Sequence, residues 1–263
     1  MRVGMIGLGN MGSAIAQCLR ETVASEDLLL SNRSPQKVVD FIKAYGGCAA
    51  SSQEVFECAD VIFLAVKPYQ METLIAEHST FLAARQSVLV VSMAASITLD
   101  QLCQWLPKQA HVIRMMPNTP VAIGQGVVTY AVSDNCDTKD QDTFKHLLAQ
   151  AGTLVALDEK LIDASTALSG CGPAFVYLFI EALSDAGVSM GLSRADSLLL
   201  ASQTVAGSAK MVKETNEHPG VLKDQVTSPG GATIAGIASL EKEAFRGSVI
   251  SAVLAAFDQS KNL

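Results

Sequence analysis

Three glycines near the start of the chain constrain its fold more than any other feature. Gly7-Leu8-Gly9-Asn10-Met11-Gly12 directly follows the apolar stretch 3–6 and opens a helix-period stretch. The first glycine permits a tight turn, the second lets the backbone approach a pyrophosphate, and the third lets helix and strand pack closely. The helix N-terminus then offers free N–H groups to phosphates. The predicted dinucleotide-binding turn comprises Ile6, Gly7, Leu8, Gly9, Asn10, Met11 and Gly12.

Short apolar runs alternate with helix-period stretches through the first half of the chain. Strands are predicted at residues 3–6, 28–31, 61–66, 88–92, 112–115, 127–132 and 153–157, and helices at 11–20, 35–45 and 69–82. Nearly continuous apolar strands that alternate with helices are typical of a sheet covered on both faces. The sequence therefore predicts an α/β fold with an N-terminal Rossmann-type, doubly wound, mostly parallel sheet over residues 1–158.

The pattern becomes entirely helical beyond residue 158. Residues 161–257 contain long stretches rich in Ala, Leu and Ser and no convincing strand. The stretch after Pro173 is apolar all the way round, so we expect its helix to be buried on all sides. About a hundred residues cannot easily bury such a helix alone. An all-α dimerisation domain over residues 159–263, packed against a second copy in an interlocked homodimer, is the natural solution.

Composition excludes several classes of protein. Lys and Arg number 19 against 26 Asp and Glu, and this net charge of −7 argues against nucleic acid or an anionic membrane as the main partner. The six cysteines lack a CxxC pair or a histidine at zinc-ligand spacing, so we expect reduced thiols and no metal site. The most apolar run, 171–180, is shorter than the ~20 residues of a membrane span, and no secretory segment precedes the first strand. We therefore expect a cytoplasmic protein.

The end of the second strand indicates which dinucleotide binds. NAD-binding domains carry an acid there for the ribose 2′-hydroxyl, whereas this chain has Ser31-Asn32-Arg33. Arg33 can pair with a 2′-phosphate, which favours NADP, although the same residues also suit a capping turn. Ala65-Val66-Lys67-Pro68 ends another strand at the ligand-binding edge. Lys67 is either a cofactor ligand or a solvated lysine.

Three further blocks have no evident structural purpose. Residues 114–120 leave a strand through two prolines, and this rigid loop presents Asn118, which we predict to contact the substrate. Residues 169–173 form a glycine-rich lead into the apolar helix. Residues 224–233 place Gly230 and Gly231 before another helix, where several N–H groups can converge on a small carboxylate.

Taken together, these blocks closely resemble pyrroline-5-carboxylate reductase over essentially the whole chain. The shared motifs are GLGNMG, SNRSP, AVKP, MPNTP, GCGPAF and SPGGATIAG, in that order. The resemblance implies NADPH-dependent reduction of 1-pyrroline-5-carboxylate to L-proline by homodimers, often assembled as a decamer of five dimers. It implies cofactor contacts from residues 7–12, 31–33 and 65–68. It assigns the substrate carboxylate and ring to Gly230, Gly231, Ala232 and Thr233, with Gln225 nearby.

Two positions depart from the family's commoner pattern. Cys171 replaces the serine usual between Gly170 and Gly172, and Gln225 stands where asparagine is frequent. Both changes concern fine contacts and leave the reaction as expected. No base is recognisable beside Cys171, so we expect no nucleophilic role for its thiol.

The motif blocks contain no histidine that could act as a proton donor. A carbonyl reductase needs such an acid, whereas a cyclic imine can arrive already protonated. We therefore expect catalysis mainly by positioning, with Thr233 as the catalytic residue that hydrogen-bonds the ring nitrogen. A hydroxyl that only satisfies the helix start is the alternative for Thr233.

Two other functions remain open at this point. A 3-hydroxyisobutyrate-dehydrogenase-like enzyme shares GLGxMG but needs a catalytic lysine in the interdomain helix, where residues 175–179 offer none. A non-catalytic NADPH-binding regulator would share the fold, since fold does not imply function. The anion-binding glycines at 230–231 would be superfluous in such a protein.

Overall fold

An eight-stranded sheet organises the first half of the chain in the computed structural model, which describes residues 1–260. Its spatial order is β3-β2-β1-β4-β5-β6-β7-β8, and all neighbours are parallel except β6 and β7. The predicted mostly parallel, doubly wound sheet is thereby confirmed. The strands are β1 (Val3–Ile6), β2 (Leu28–Ser31), β3 (Cys48–Ala49), β4 (Val61–Leu64), β5 (Val88–Ser92), β6 (Ala110–Pro117), β7 (Gly126–Val132) and β8 (Gly152–Ala156).

Helices cover both faces of this sheet. In β4, Val61 and Phe63 join one buried apolar cluster, while Ile62 and Leu64 join the other. This alternation explains why the strand is apolar throughout, because side chains of a strand point to opposite faces. The helices of this half are α1 (Asn10–Arg20), α2 (Pro35–Tyr45), α3 (Ser52–Cys58), α4 (Pro68–Glu77), α5 (Ser79–Ala83), α6 (Leu99–Trp105), α7 (Thr138–Leu147) and α8 (Ile162–Ser165).

The contacts divide the chain into two units. Unit 1 comprises Met1–Gly170 with the segment that starts at Phe257, and unit 2 comprises Cys171–Ala256. The described part of unit 2 is helical, as the sequence predicts. Its helices are α9 (Gly172–Ser189), α10 (Arg194–Thr215), α11 (Pro219–Gln225) and α12 (Ala232–Lys242), and the last helix of the chain is α13 (Phe245–Ser260).

Helix α9 is exposed within the single chain, although the sequence predicts burial on all sides. Tyr177 is 59% and Leu178 67% exposed, and only Ser184 and Gly187 of this helix are buried. The helical run Glu159–Ser189 is long and apolar enough to cross a membrane by length and composition alone, with 6% of its most apolar window buried. The predicted shortness of this run is therefore wrong, because the helix continues beyond residues 171–180 at both ends. A second copy packed on α9 would supply the missing burial.

A buried arginine on β6 ties the start of this helical run to the sheet. Nη1 and Nη2 of Arg114 donate to Glu159 at 3.1 Å and Asp163 at 2.9 Å, and the arginine side chain is 3% exposed. Glu159 also accepts the backbone N–H of Leu99 at 2.6 Å. These bonds link Glu159 and Asp163 to unit 1, which extends to Gly170, whereas the sequence predicts a helical domain that begins at residue 159.

Replacing Arg114 with methionine should lower the free energy of unfolding by about 2–3 kcal/mol. Removing one partner of a buried pair typically costs 3–5 kcal/mol, and Glu159 and Asp163 are partly solvated, which reduces the loss. Urea unfolding measures it. Lys145→Met, which breaks an exposed pair with Asp142, is the control and should change stability by less than about 0.5 kcal/mol. Equal losses of stability in the two variants would contradict the stabilising role of the buried Arg114 ion pairs.

Candidate functional site

The glycine turn after β1 is held by backbone and side-chain bonds to β2. Gly7 N–H donates to the Ser31 carbonyl at 2.8 Å, and Leu8 N–H donates to Asn32 Oδ1 at 2.8 Å. Helix α1 then begins after Gly9, which caps it without a side-chain bond, and the first turn of α1 contains no acidic residue. The N–H groups at this helix start are therefore oriented towards the carboxyl edge of the sheet, where an anion would be stabilised.

The space around each glycine fits the three roles predicted for them. Gly7 has a φ of +104°, and a Cβ on Gly12 would lie 2.0 Å from the Gly7 carbonyl oxygen. A Cβ on Gly9 would meet nothing within 4 Å. Gly7 and Gly12 are thus required by the fold, whereas Gly9 faces open space. This cradle fits a dinucleotide pyrophosphate, which needs close approach of the backbone.

The three predicted residues at the end of β2 have different tasks. Ser31 is buried, and the Asn32 side chain is engaged at both ends, since its Nδ2 donates to the Ser34 carbonyl at 3.1 Å. Arg33 is exposed and forms no ion pair within residues 1–260. Asn32 therefore shapes the glycine turn, and Arg33 is the group available to a 2′-phosphate.

Two further segments end at the same edge of the sheet. Ala65 N–H donates to the Ile6 carbonyl at 2.8 Å, which places Ala65, Val66, Lys67 and Pro68 beside the glycine turn, with Lys67 exposed. The segment 93–96 follows β5 at this edge, and Ser96 has a φ of 65°. This segment is absent from the predicted site; its signal in the sequence is the run of small residues 94–96 shortly after an apolar strand.

The predicted anion nest lies in unit 2, at the N-terminus of α12. Gly230 has a φ of +69°, and Gly231 caps the helix without a side-chain bond. The first turn of this 11-residue helix carries no acidic side chain, so no carboxylate offsets the partial positive charge at its N-terminus. Thr233 is exposed, and its hydroxyl has no hydrogen-bond partner in the described part of the chain. A role limited to the helix start is therefore not supported.

Two predicted substrate residues are engaged with protein groups. Gln225 Nε2 donates to Glu217 at 2.9 Å on the exposed end of α11. Asn118 is 7% exposed; its Nδ2 donates to the Ser169 carbonyl and its Oδ1 accepts from Val127 N–H, both at 2.9 Å. Direct substrate contact by Asn118 stays a prediction that none of these bonds supports.

Three of the six cysteines lie in surroundings that disfavour the thiolate. Burial raises the pKa of the Cys18 thiol, and burial with the nearby Asp140 and Asp137 raises that of Cys136 to about 12. Burial and surrounding carboxylates also raise the pKa of Cys103. These thiols stay protonated near neutral pH, where the thiolate is the reactive form. Among residues 1–260, no three His, Cys, Asp or Glu side chains gather as a metal site.

Comparisons with known proteins cover the whole chain. Residues 159–263 match a family model described as pyrroline-5-carboxylate reductase dimerisation, and residues 2–96 match one described as NADP oxidoreductase, coenzyme F420-dependent. A pyrroline-5-carboxylate reductase from Arabidopsis thaliana is 42% identical, covering 100% of this chain and 95% of the relative. One from Escherichia coli (strain K12) is 40% identical, covering 100% and 98%. The crystal structure of Plasmodium falciparum pyrroline carboxylate reductase with NADP bound has a TM-score of 0.88 at 34% identity, covering 100% of this chain and 97% of that one.

Proposed function

The chain belongs to the pyrroline-5-carboxylate reductase family, and we propose that it reduces 1-pyrroline-5-carboxylate to L-proline with NADPH, the last step of proline biosynthesis. The unneutralised N-terminus of α12, with its two glycines and the unpartnered Thr233 hydroxyl, carries this proposal. This helix N-terminus suits a small carboxylate, and the Thr233 hydroxyl suits a polar atom in a ring attached to that carboxylate. The glycine turn and Arg33 suit NADP at the sheet edge.

The residues of the chain act by binding and orientation. NADPH, when bound, supplies the hydride. The N–H groups from Gly231 to Thr233 hold the substrate carboxylate, and the Thr233 oxygen accepts a hydrogen bond from the protonated ring nitrogen. Hydride adds to the imine carbon, the π electrons of the C=N bond move to nitrogen, and the product is a secondary amine. The proton arrives with the substrate or from water, so the chain needs no acid for this step.

Arg33 is proposed to select NADPH over NADH. Arg33→Ala should raise the KM for NADPH about tenfold and leave the KM for NADH nearly unchanged, because a charge-assisted bond to phosphate contributes about 1.5–3 kcal/mol and NADH lacks that phosphate. Steady-state kinetics with both donors measures this. Lys43→Ala, on the far end of α2, is the control. A parallel rise for both donors would contradict a role at the 2′-phosphate.

The match of residues 159–263 to a dimerisation model indicates self-association. We propose an interlocked homodimer through unit 2, assembled further as a decamer of five dimers, and keep residue 159 as the start of the dimerisation domain. The exposed apolar side chains of α9 support the dimer. We also propose a soluble, cytoplasmic enzyme without a membrane or nucleic-acid partner, in line with the net charge of −7.

Turnover separates this function from its competitors. The purified protein should oxidise NADPH when pyrroline-5-carboxylate is added, and more slowly with NADH as donor. A better rate with NADH would keep the enzyme and overturn the role of Arg33. Binding of NADPH without turnover of this or another cyclic imine would favour the non-catalytic regulator. Oxidation of 3-hydroxyisobutyrate would favour the dehydrogenase alternative.

A further inference from the structure

A proline in the long helical run leaves one backbone carbonyl without its helical donor. In an α-helix, the N–H of residue 173 would donate to the carbonyl of Ser169, but Pro173 has no N–H. A π turn, Thr166–Gly170, precedes this point. The Ser169 carbonyl accepts a hydrogen bond from Asn118 Nδ2 at 2.9 Å instead. Asn118 therefore provides the donor that Pro173 lacks.

The side chain of Asn118 is fixed in the orientation that this bond requires. The side-chain Oδ1 of Asn118 accepts a hydrogen bond from the Val127 N–H at 2.9 Å. The backbone N–H of Asn118 donates to the Val127 carbonyl at 3.1 Å. A flipped amide would place the NH₂ group against an N–H and the oxygen against a carbonyl, so the partners define the orientation. The donor to Ser169 is thus anchored on the antiparallel pair of β6 and β7.

A second bond ties the same turn to the sheet. Thr129 Oγ1 on β7 lies 2.9 Å from Ser165 Oγ, one residue before the π turn. The Ser169 hydroxyl donates to the Ser165 carbonyl at 2.8 Å. π turns are rare and are often found at functional sites. This one is held by side chains from both strands rather than by helix geometry alone.

The turn lies at the edge of the sheet where the cofactor loops end. Asn118 directly follows β6, which is parallel to β5, so it shares the carboxyl edge with the glycine turn after β1. In the order β1-β4-β5-β6, strand β6 is three strand spacings from β1, about 14 Å. Arg33, two residues beyond the end of β2, lies on the opposite side of the glycines. A dinucleotide with its 2′-phosphate at Arg33 would therefore extend its nicotinamide towards β5 and β6.

We propose that Asn118 is a positioning residue for hydride transfer, an inference that rests on the proposed function. By binding the carbonyl that Pro173 leaves free, it fixes the backbone of the π turn, Thr166–Gly170, on the nicotinamide side of the edge. Hydride transfer depends steeply on the placement of the reacting groups. A loosened turn lowers the rate of this step. It leaves NADPH affinity unchanged, because the proposed cofactor ligands lie on β1, β2 and β4.

Asn118→Asp isolates the bond to Ser169. The carboxylate keeps an acceptor for Val127 N–H but loses the donor to the carbonyl. We expect kcat to fall about five- to tenfold and the isotope effect with 4-deuterated NADPH to rise, with an unchanged Kd for NADPH. Adding Pro173→Ala supplies an N–H at position 173 but no bond to the sheet, so kcat should stay low. Unchanged kcat with a lowered Tm, or a Kd for NADPH weakened in parallel with kcat, would overturn the proposal.

Pro173→Ala alone keeps the proposal falsifiable if Asn118→Asp fails to fold. Its new N–H competes with Asn118 for the Ser169 carbonyl, so we expect a lower kcat with an equal or higher Tm, a combination that a purely structural role does not produce. A wild-type kcat in this variant would overturn the inference. Failure of the wild-type protein to reduce pyrroline-5-carboxylate would instead overturn the proposed function.

Discussion

Gly12→Val should abolish measurable NADPH binding, a loss of more than about 100-fold, and should also lower the Tm. A side chain here overlaps the Gly7 carbonyl oxygen, 2.0 Å from the Cβ position, and the Ala65 methyl group, 2.9 Å away. Both belong to the packed contact between α1 and the strand ends, so the turn must open to admit valine. Opening it would remove the bonds to phosphate that we propose for this turn, each contributing about 1.5–3 kcal/mol. Isothermal calorimetry with NADPH and thermal unfolding measure the two effects.

Gly9→Ala is the matched control for this experiment. The added Cβ meets no protein atom within 4 Å, and the φ of −75° suits alanine. We expect a wild-type Tm together with weaker NADPH binding, because the methyl group occupies space that the pyrophosphate needs. Wild-type affinity in Gly9→Ala would contradict the placement of the pyrophosphate at this turn. Wild-type affinity in Gly12→Val would contradict the packing argument.

Thr233→Val should lower kcat/KM about 10- to 100-fold, since a hydrogen bond to a charged group contributes about 1.5–3 kcal/mol. Valine keeps the shape of threonine and removes only the hydroxyl that we assign to the ring nitrogen. The Thr233 hydroxyl has no partner in the described chain, so its removal leaves no protein group unsatisfied. Steady-state kinetics with pyrroline-5-carboxylate measures the loss.

Two companion variants identify the cause of that loss. Thr233→Ser keeps the hydroxyl and should retain most of the activity. Thr204→Val, on α10, removes a hydroxyl that donates to the Leu200 carbonyl, and kcat/KM should not change. A loss of kcat/KM below about threefold in Thr233→Val would contradict the catalytic role of Thr233.

The glycine turn after β1 could be predicted from the sequence because its determinants are local. Gly7, Gly9 and Gly12 follow a strand and open a helix within six residues, and the space around each one matches its predicted role. The alternation of apolar strands with helices likewise predicts the sheet, because burial on both faces leaves a direct pattern in the sequence. Helix α3 is missing from the predicted elements, although the sequence carries a local signal for it. Ser51 and Glu54 form a capping box at its N-terminus.

The remaining features depend on contacts between distant residues. Asn32 bonds Leu8 across 24 positions, and Asn118 bonds Ser169 across 51, so neither side chain could be assigned its partner from spacing. Strand β3 has two residues and no apolar pattern to mark it. The exposure of α9 has a different origin, since we propose that a second chain buries this helix. Sequence therefore predicts what a residue type permits locally, whereas tertiary contacts decide which partner it takes.

Transfer of deuterium from NADPH to proline tests the central claim most directly. The protein would be supplied with NADPH that carries deuterium at both C4 positions and with unlabelled pyrroline-5-carboxylate, and the product analysed by mass spectrometry and proton NMR. We predict L-proline that carries one deuterium at the former imine carbon, C5, with one NADPH consumed per proline formed. Proline without the label, or NADPH that is bound but not consumed, would contradict hydride transfer to the carbon–nitrogen double bond.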